Sequence, residues 1–205
     1  MLLVLGDSLS SAYGMDRRQG WVFQLQRRLE AKRPRWRVMN ASISGETTQG
    51  GLSRLPDLLA RFRPCVVVIE LGANDGLRGV ALPVIRDTLT QLVRKSKAAG
   101  AKVLLVGNHL PVNFGKRYAQ GFFAIFQEVA RRESVALVPF MLASIAEDRR
   151  LVQADGLHPT AEAQAQVLDN IWPQLEILLF PRRRDVSEME NLMIFRESAV
   201  KNTMR

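Results

Sequence analysis

The sequence predicts an α/β fold of three layers, with a parallel sheet of about five strands between two layers of helices. Three observations carry that prediction. Short apolar runs alternate with longer stretches whose apolar residues recur at helical spacing. The run Val66–Leu71 reads as a strand buried on both faces, which is typical of a parallel sheet. The chain has 205 residues and is 47% hydrophobic, enough for one domain with a sizeable core.

The elements follow in order. Leu2–Leu5 is the first strand. Trp21, Val22, Leu25 and Leu29 mark the first helix, closed by Pro34. Arg37, Val38 and Met39 form a short second strand. Leu52, Leu55, Leu58 and Leu59 mark a second helix that ends before Pro64. Val66–Leu71 is the third strand. Ile85, Leu89, Leu92 and Val93 mark a third helix, stopped by Gly100. Lys102–Gly107 is the fourth strand. Ala119, Phe123, Phe126 and Ala130 line a fourth helix, and Val135–Val138 is a short fifth strand. Ala161, Ala165, Leu168, Trp172 and Leu175 line the last helix, which Pro173 should kink or re-start. There is no internal repeat.

Bulk properties bound the function. No apolar run reaches the ~20 residues needed to span a bilayer. Met1 opens almost directly into the first strand, so no signal peptide is expected in this chain. The single Cys65 excludes an internal disulfide and reads as a buried small hydrophobe. The net charge is +9. Most Lys and Arg stand at helix-like spacing, so they read mainly as solvated faces. No nucleic-acid motif is present, and no nucleic-acid partner is expected. The charge is compatible with transient contact with an anionic membrane surface or with the phosphates of a substrate.

The chemistry gathers in four blocks: Gly6-Asp7-Ser8-Leu9-Ser10, Asn40-Ala41-Ser42-Ile43-Ser44-Gly45, Gly72-Ala73-Asn74-Asp75 and Asp155-Gly156-Leu157-His158-Pro159. Ser8 follows the first strand, at the sheet edge where open α/β folds place their chemistry. A serine hydroxyl needs a base at neutral pH. His158 is the candidate base, and Asp155 is spaced to orient it and stabilise the imidazolium. Asp-x-x-His alone is a weak signal, since a helix-start histidine bonded to backbone would look the same. Asp7 and Asp75 invite a second idea, a carboxylate pair for glycoside hydrolysis. Against it, an acid beside a nucleophile more simply braces the turn. His109 has no acid at useful spacing and reads as groove-lining or structural. No dinucleotide, Walker or Gly-x-Ser-x-Gly motif is present, and the scattered histidines and cysteine give no metal cluster.

Those four blocks, in that order, resemble the SGNH (GDSL) hydrolase superfamily, in particular its bacterial thioesterase I / lysophospholipase / arylesterase branch. The resemblance runs from Leu2 to about Leu179. It implies a flavodoxin-like parallel sheet and a serine acyl hydrolase that needs no metal or organic cofactor. Ser8, Asp155 and His158 would be catalytic. The backbone N–H groups of Ser8 and Gly45 and the side-chain amide of Asn74 would form the oxyanion hole. Each of the last two could instead be an ordinary turn residue. The resemblance also implies a small-molecule acyl ester or thioester substrate with broad specificity, and a periplasmic location, although without a signal peptide a cytoplasmic form stays open.

Leu77 and Val80, with Leu82 and Pro83, follow Asn74. Leu110 and Pro111, with Val112 and Phe114, follow the fourth strand. Both segments leave the same sheet edge, so they could wall an apolar groove for an acyl chain. Core packing is the alternative for any one of them. Two other functions stay open: a carbohydrate or small-ester deacetylase of the same superfamily, and a catalytically silent lipid-binding domain. Residues 1–179 are expected to form the hydrolase domain. The tail, 180–205, has no counterpart in the branch and is expected to be loosely ordered or a short appended helix.

Overall fold

Side chains alternate across a strand, so the strand residues decide what each helical layer must cover. The computed structural model describes residues 1–32 and 35–181. Five parallel strands form its sheet in the order β2-β1-β3-β4-β5. They are β1 (Leu2–Gly6), β2 (Val38–Asn40), β3 (Val66–Glu70), β4 (Lys102–Val106) and β5 (Ala136–Val138). This is the flavodoxin-like order, which reverses direction of growth between β1 and β3. Leu2, Val4, Val66, Val68, Leu104 and Val106 face one side. Leu3, Leu5, Val67, Ile69, Val103 and Leu105 face the other. Each such buried side chain contributes about 1.5–3 kcal/mol.

The first face is covered by α1 (Trp21–Lys32) and α6 (Gln164–Leu179). The second is covered by α2 (Thr48–Phe62), α4 (Leu82–Ala98) and α5 (Lys116–Glu133). Local chemistry sets several ends. The Thr47 hydroxyl accepts from Gly50 N–H at 3.1 Å and caps α2. Gly100, at φ 84°, follows the end of α4 and donates to Lys97 O.

The structure departs from the sequence reading in four places. Residues Ala73–Leu77, expected as a turn, form a short helix, α3. It is one turn long, too short to show a periodicity. The helix α6 does not re-start at Pro173; Gln164–Leu179 is one element. Val167, Leu168, Ile171 and Leu175 anchor it on both sides of the proline, whose own side chain is exposed. The buried stripe there is also shifted, since Ala165 faces solvent. Cys65 is exposed, not buried. It stands just before β3, at the edge where the strands enter, and its N–H donates to Met1 O. The stop assigned to Pro34 and the tail from 182 onward lie outside the described residues. Phe180 is described, and its ring meets Trp36 edge-on at 6.4 Å.

Candidate active site

Ser8 stands on a tight turn at the carboxyl end of β1. Asp7 builds that turn: its O accepts from Ser10 N–H and Ser11 N–H, and its Oδ1 accepts from Leu9 N–H at 3.0 Å. The preceding Gly6 has no room for a side chain, because a Cβ would stand 2.8 Å from both the Glu70 carboxyl and the Ser10 hydroxyl. Ser8 and Asn74 follow β1 and β3, so they flank the point where the strand order reverses.

The candidate base arrives from the far end of the chain. His158 Nε2 lies 2.8 Å from Ser8 Oγ, and His158 Nδ1 lies 2.5 Å from Asp155 Oδ2. The carboxylate accepts at Nδ1, so the ring proton sits there and the Nε2 lone pair faces the serine. Asp155 Oδ1 also accepts from Leu157 N–H and His158 N–H. Burial pushes Asp155 up, but these two backbone donors and the His158 ring outweigh it and hold the carboxyl at about 2. Asp155 is therefore an anion throughout the neutral range. The loop is tied down by Gln153, whose side-chain amide donates to Tyr13 O at 3.0 Å and Pro159 O at 2.9 Å. The Tyr13 ring covers one face of the His158 ring.

Two backbone donors point to no protein acceptor among the described residues: Ser8 N–H and Gly45 N–H. Gly45 sits at φ 79°, a conformation that favours glycine. Its loop is held by Arg78, which donates to Gly45 O at 3.2 Å, and by the Arg54–Glu46 ion pair at 2.8 Å. Asn74 lies in the first turn of α3. Its Nδ2 donates to Asp7 Oδ2 at 3.1 Å and to Glu46 O at 3.0 Å.

A cavity of about 390 Å³ opens beside these groups. Asp7, Ser8, Asn74 and His158 border one end, and Leu77, Leu110, Pro111, Phe140, Leu142 and Leu157 wall the rest. Leu82 and Phe114, expected to wall a groove, pack instead partly buried against the α2–α4–α5 core, but Leu77, Leu110 and Pro111 are on the cavity. Val80 is not: it packs partly buried against the α2–α4–α5 core, and its O accepts from Tyr118 Oη at 2.6 Å. His109 also lines the cavity, held between Phe123 at 4.0 Å and Phe140 at 4.4 Å. Partial burial lowers its pKa. Phe123, assigned to the core stripe of α5, serves here instead, while Phe122 takes the core position.

Asp7 and Asp75 do not form a pair across a substrate site. Both are buried, and Asp75 is taken by Thr48, whose N–H and Oγ1 donate to it at 2.8 and 2.7 Å. The sequence reading missed Tyr13, Phe140, Leu142 and Glu70. Only Glu70 left a signal, as the single acid closing an apolar strand.

Comparison with known proteins agrees with this geometry. The model of the GDSL-like lipase/acylhydrolase family matches residues 4–166, a span that holds all four blocks. Esterase TesA of Pseudomonas aeruginosa is 51% identical over 178 residues, 87% of this chain and 89% of that protein. Thioesterase 1/protease 1/lysophospholipase L1 of Escherichia coli K12 is 42% identical over 178 residues, 87% of this chain and 84% of that protein. The crystal structure of the psychrotrophic esterase EstA from Pseudoalteromonas sp., inhibited by monoethylphosphonate, matches with a TM-score of 0.83 at 41% identity, covering 87% of this chain and 97% of that one. A family match over most of the sheet and both ends of the serine–histidine contact leaves one assignment: the chain belongs to the GDSL-like lipase/acylhydrolase family.

Proposed function

We propose that this chain is a serine acyl hydrolase of broad specificity, acting on acyl-CoA thioesters, lysophospholipids and simple aryl or alkyl esters. One observation carries the reading: the Ser8–His158–Asp155 hydrogen-bond chain ends at the mouth of an apolar cavity, beside two unpartnered backbone N–H groups. Ser8 Oγ attacks the acyl carbonyl carbon as His158 Nε2 takes its proton. Asp155 holds the imidazolium. The oxyanion meets Ser8 N–H, Gly45 N–H and Asn74 Nδ2. Asn74 reaches it by releasing Glu46 O, because an oxyanion is a stronger acceptor than a neutral carbonyl. His158 then protonates the departing thiolate or alkoxide, leaving the acyl group on Ser8. It next activates a water that cleaves the acyl-enzyme and returns the serine hydroxyl.

The apolar walls favour a hydrocarbon acyl chain over an acetylated sugar. The names of the relatives, an esterase and a thioesterase/lysophospholipase, support the same substrate classes. Contact with an anionic lipid surface is supported by the net charge of +9 and by exposed Tyr13, Ile43 and Leu157 on loops that carry site residues. Sedimentation with anionic but not neutral vesicles would bear that contact out.

The test is turnover of a medium-chain acyl-CoA and the matching lysophospholipid, with Ser8→Ala as control. Loss of several orders of magnitude in Ser8→Ala is expected. Retained turnover in a clean Ser8→Ala preparation would remove the mechanism. Fluorophosphonate labelling of Ser8 without turnover of either substrate would keep the mechanism and move the acetyl esters to the front.

A further inference from the structure

Glu70 is a buried acid that the mechanism above does not use. It closes β3, directly opposite Gly6 of β1 in the sheet register, and only 2% of it is exposed. Its Oε2 accepts from Ser10 Oγ at 2.7 Å and from Asp7 N–H at 3.3 Å. These two residues bracket Ser8. The Asp7 carboxyl, also fully buried, meets the Glu70 side chain, and its Oδ2 accepts from Asn74 Nδ2. No Lys or Arg among the described residues pairs with either acid.

Two buried carboxyls side by side without a cation cannot both ionise cheaply. Burial first, and then the Asp7 charge, hold Glu70 well above the usual carboxylate range. Burial raises Asp7 to about 6, restrained by Leu9 N–H, the His158 charge, Asn74 and Glu70. Leu9 N–H and Asn74 Nδ2 both donate to the Asp7 carboxyl, so the one negative charge of the pair is better placed on Asp7 and the proton on Glu70. The titratable groups facing the pair are each other and His158 across the site.

We propose that Glu70 is a positioning residue of the reaction: its neutral carboxylic acid grips the Ser8 turn from beneath, through Asp7 and Ser10, and keeps Asp7 an anion that aims Asn74. The inference rests on Ser8 being the nucleophile. The protonated acid accepts from the turn at Oε2 and gives its proton to the Asp7 carboxylate beside it, a combination that neither a carboxylate nor an apolar side chain supplies. If Glu70 ionised, a second negative charge would sit within a few residues of Ser8 with nothing to balance it, and the turn would shift.

The experiment uses the full chain with Ser8→Ala, Glu70→Gln, Glu70→Leu and Ser10→Ala, an aryl ester substrate and a pH series. Glu70→Gln keeps an acceptor for the turn and a donor for Asp7, so its kcat stays within a few-fold of the unmodified chain at neutral pH. Its activity also extends further into the alkaline range, because the proton that can be lost is gone. Glu70→Leu loses about 100-fold in kcat with little change in KM, the size expected for a misplaced reacting group. Ser10→Ala, which keeps the acid and removes one contact, loses several-fold in kcat. Infrared spectra of the unmodified chain at neutral pH show a protonated-carboxyl band that Glu70→Gln lacks and Ser8→Ala retains.

Two outcomes overturn the proposal while Ser8→Ala is inactive. One is absence of that infrared difference. The other is an alkaline profile of Glu70→Gln identical to that of the unmodified chain. These readings stand even if Glu70→Leu fails to fold. Turnover by Ser8→Ala would instead overturn the nucleophile on which the proposal rests.

Discussion

The ring of Tyr13 lies 4.4 Å from the ring of His158, tilted by 37°, and thereby shields the candidate base on one face. The contact joins the turn that carries Ser8 to the loop that carries His158, across 145 positions of sequence. A ring pair of this kind is worth about 0.5–1.5 kcal/mol. Tyr13→Ala is therefore expected to lower kcat/KM by roughly two- to tenfold, and Tyr13→Phe to leave it unchanged. Steady-state kinetics on one aryl ester decides it. Equal losses in both variants would mean that the hydroxyl, not the ring, matters.

Asn74→Ala removes the side-chain donor proposed for the oxyanion. Loss of a single oxyanion donor costs about 10²–10³ in kcat. The expected signature is a fall in kcat with KM nearly constant. Asn74 also bridges Asp7 and Glu46, so a thermal melt of the variant separates the catalytic loss from a fall in stability.

Gly45→Ala introduces a methyl group that meets no atom within 4 Å. Its cost is purely conformational, about 1–2 kcal/mol for a left-handed φ. The strain is relieved by turning the peptide, which moves the Gly45 N–H. Reduced kcat with unchanged substrate affinity is expected. A variant as active as the unmodified chain would mean that Gly45 N–H does not meet the oxyanion.

Stability against pH follows from two opposite shifts. Asp155 is held at about 2, below its ordinary 3.8, so its contribution is present above 3.8 and lost as pH falls through about 2. Asp7 is raised from 3.8 to about 6, so folding favours its neutral form. Its contribution is present below 3.8 and lost as pH rises through about 6. Glu70 shifts in the same direction as Asp7. On these groups stability is greatest on the acid side of neutrality, between the two windows. Urea unfolding across the range from about pH 4 to 8 is expected to show a decline that Glu70→Gln flattens. A steady rise over that range would contradict the raised pair.

Phe140→Ala opens the cavity wall and removes one side of the His109 stack. Each buried methylene of an acyl chain is worth about 0.8 kcal/mol, or roughly fourfold in affinity. The variant is expected to raise KM for medium-chain esters more than for acetyl esters. A chain-length series of aryl esters reads this directly.

What the sequence made legible was local. Ser8, Asp155 and His158 stand in short blocks whose residue types announce their chemistry, and β3 announces itself by apolar character alone. What it hid was relational. Glu70 matters because β1 pairs with β3 in a register that sets it against Gly6, and no window along the chain contains both. Tyr13 and Phe140 reach the site through loop paths that carry no periodicity. Phe123 and the α6 stripe were misplaced for another reason. Helical spacing fixes a face only to within one residue, and at Phe122/Phe123 both candidates are phenylalanine. Val80 follows the same segment as Leu77, but the chain bends after α3 and turns it inward.

Ser8, Gly45 and Asn74 stand on segments that follow β1, β2 and β3, whereas His158 hangs on a loop beyond β5, moored by the Gln153 side chain. The two parts of the site therefore rest on foundations of unequal firmness. On gentle heating the mooring is the first to slip, since loops open locally well before a buried sheet does. Hydrolysis should then fade at temperatures where the far-ultraviolet spectrum is still native, and return on cooling. Strengthening this mooring, rather than the core, is the direct route to a version of the enzyme that works hot.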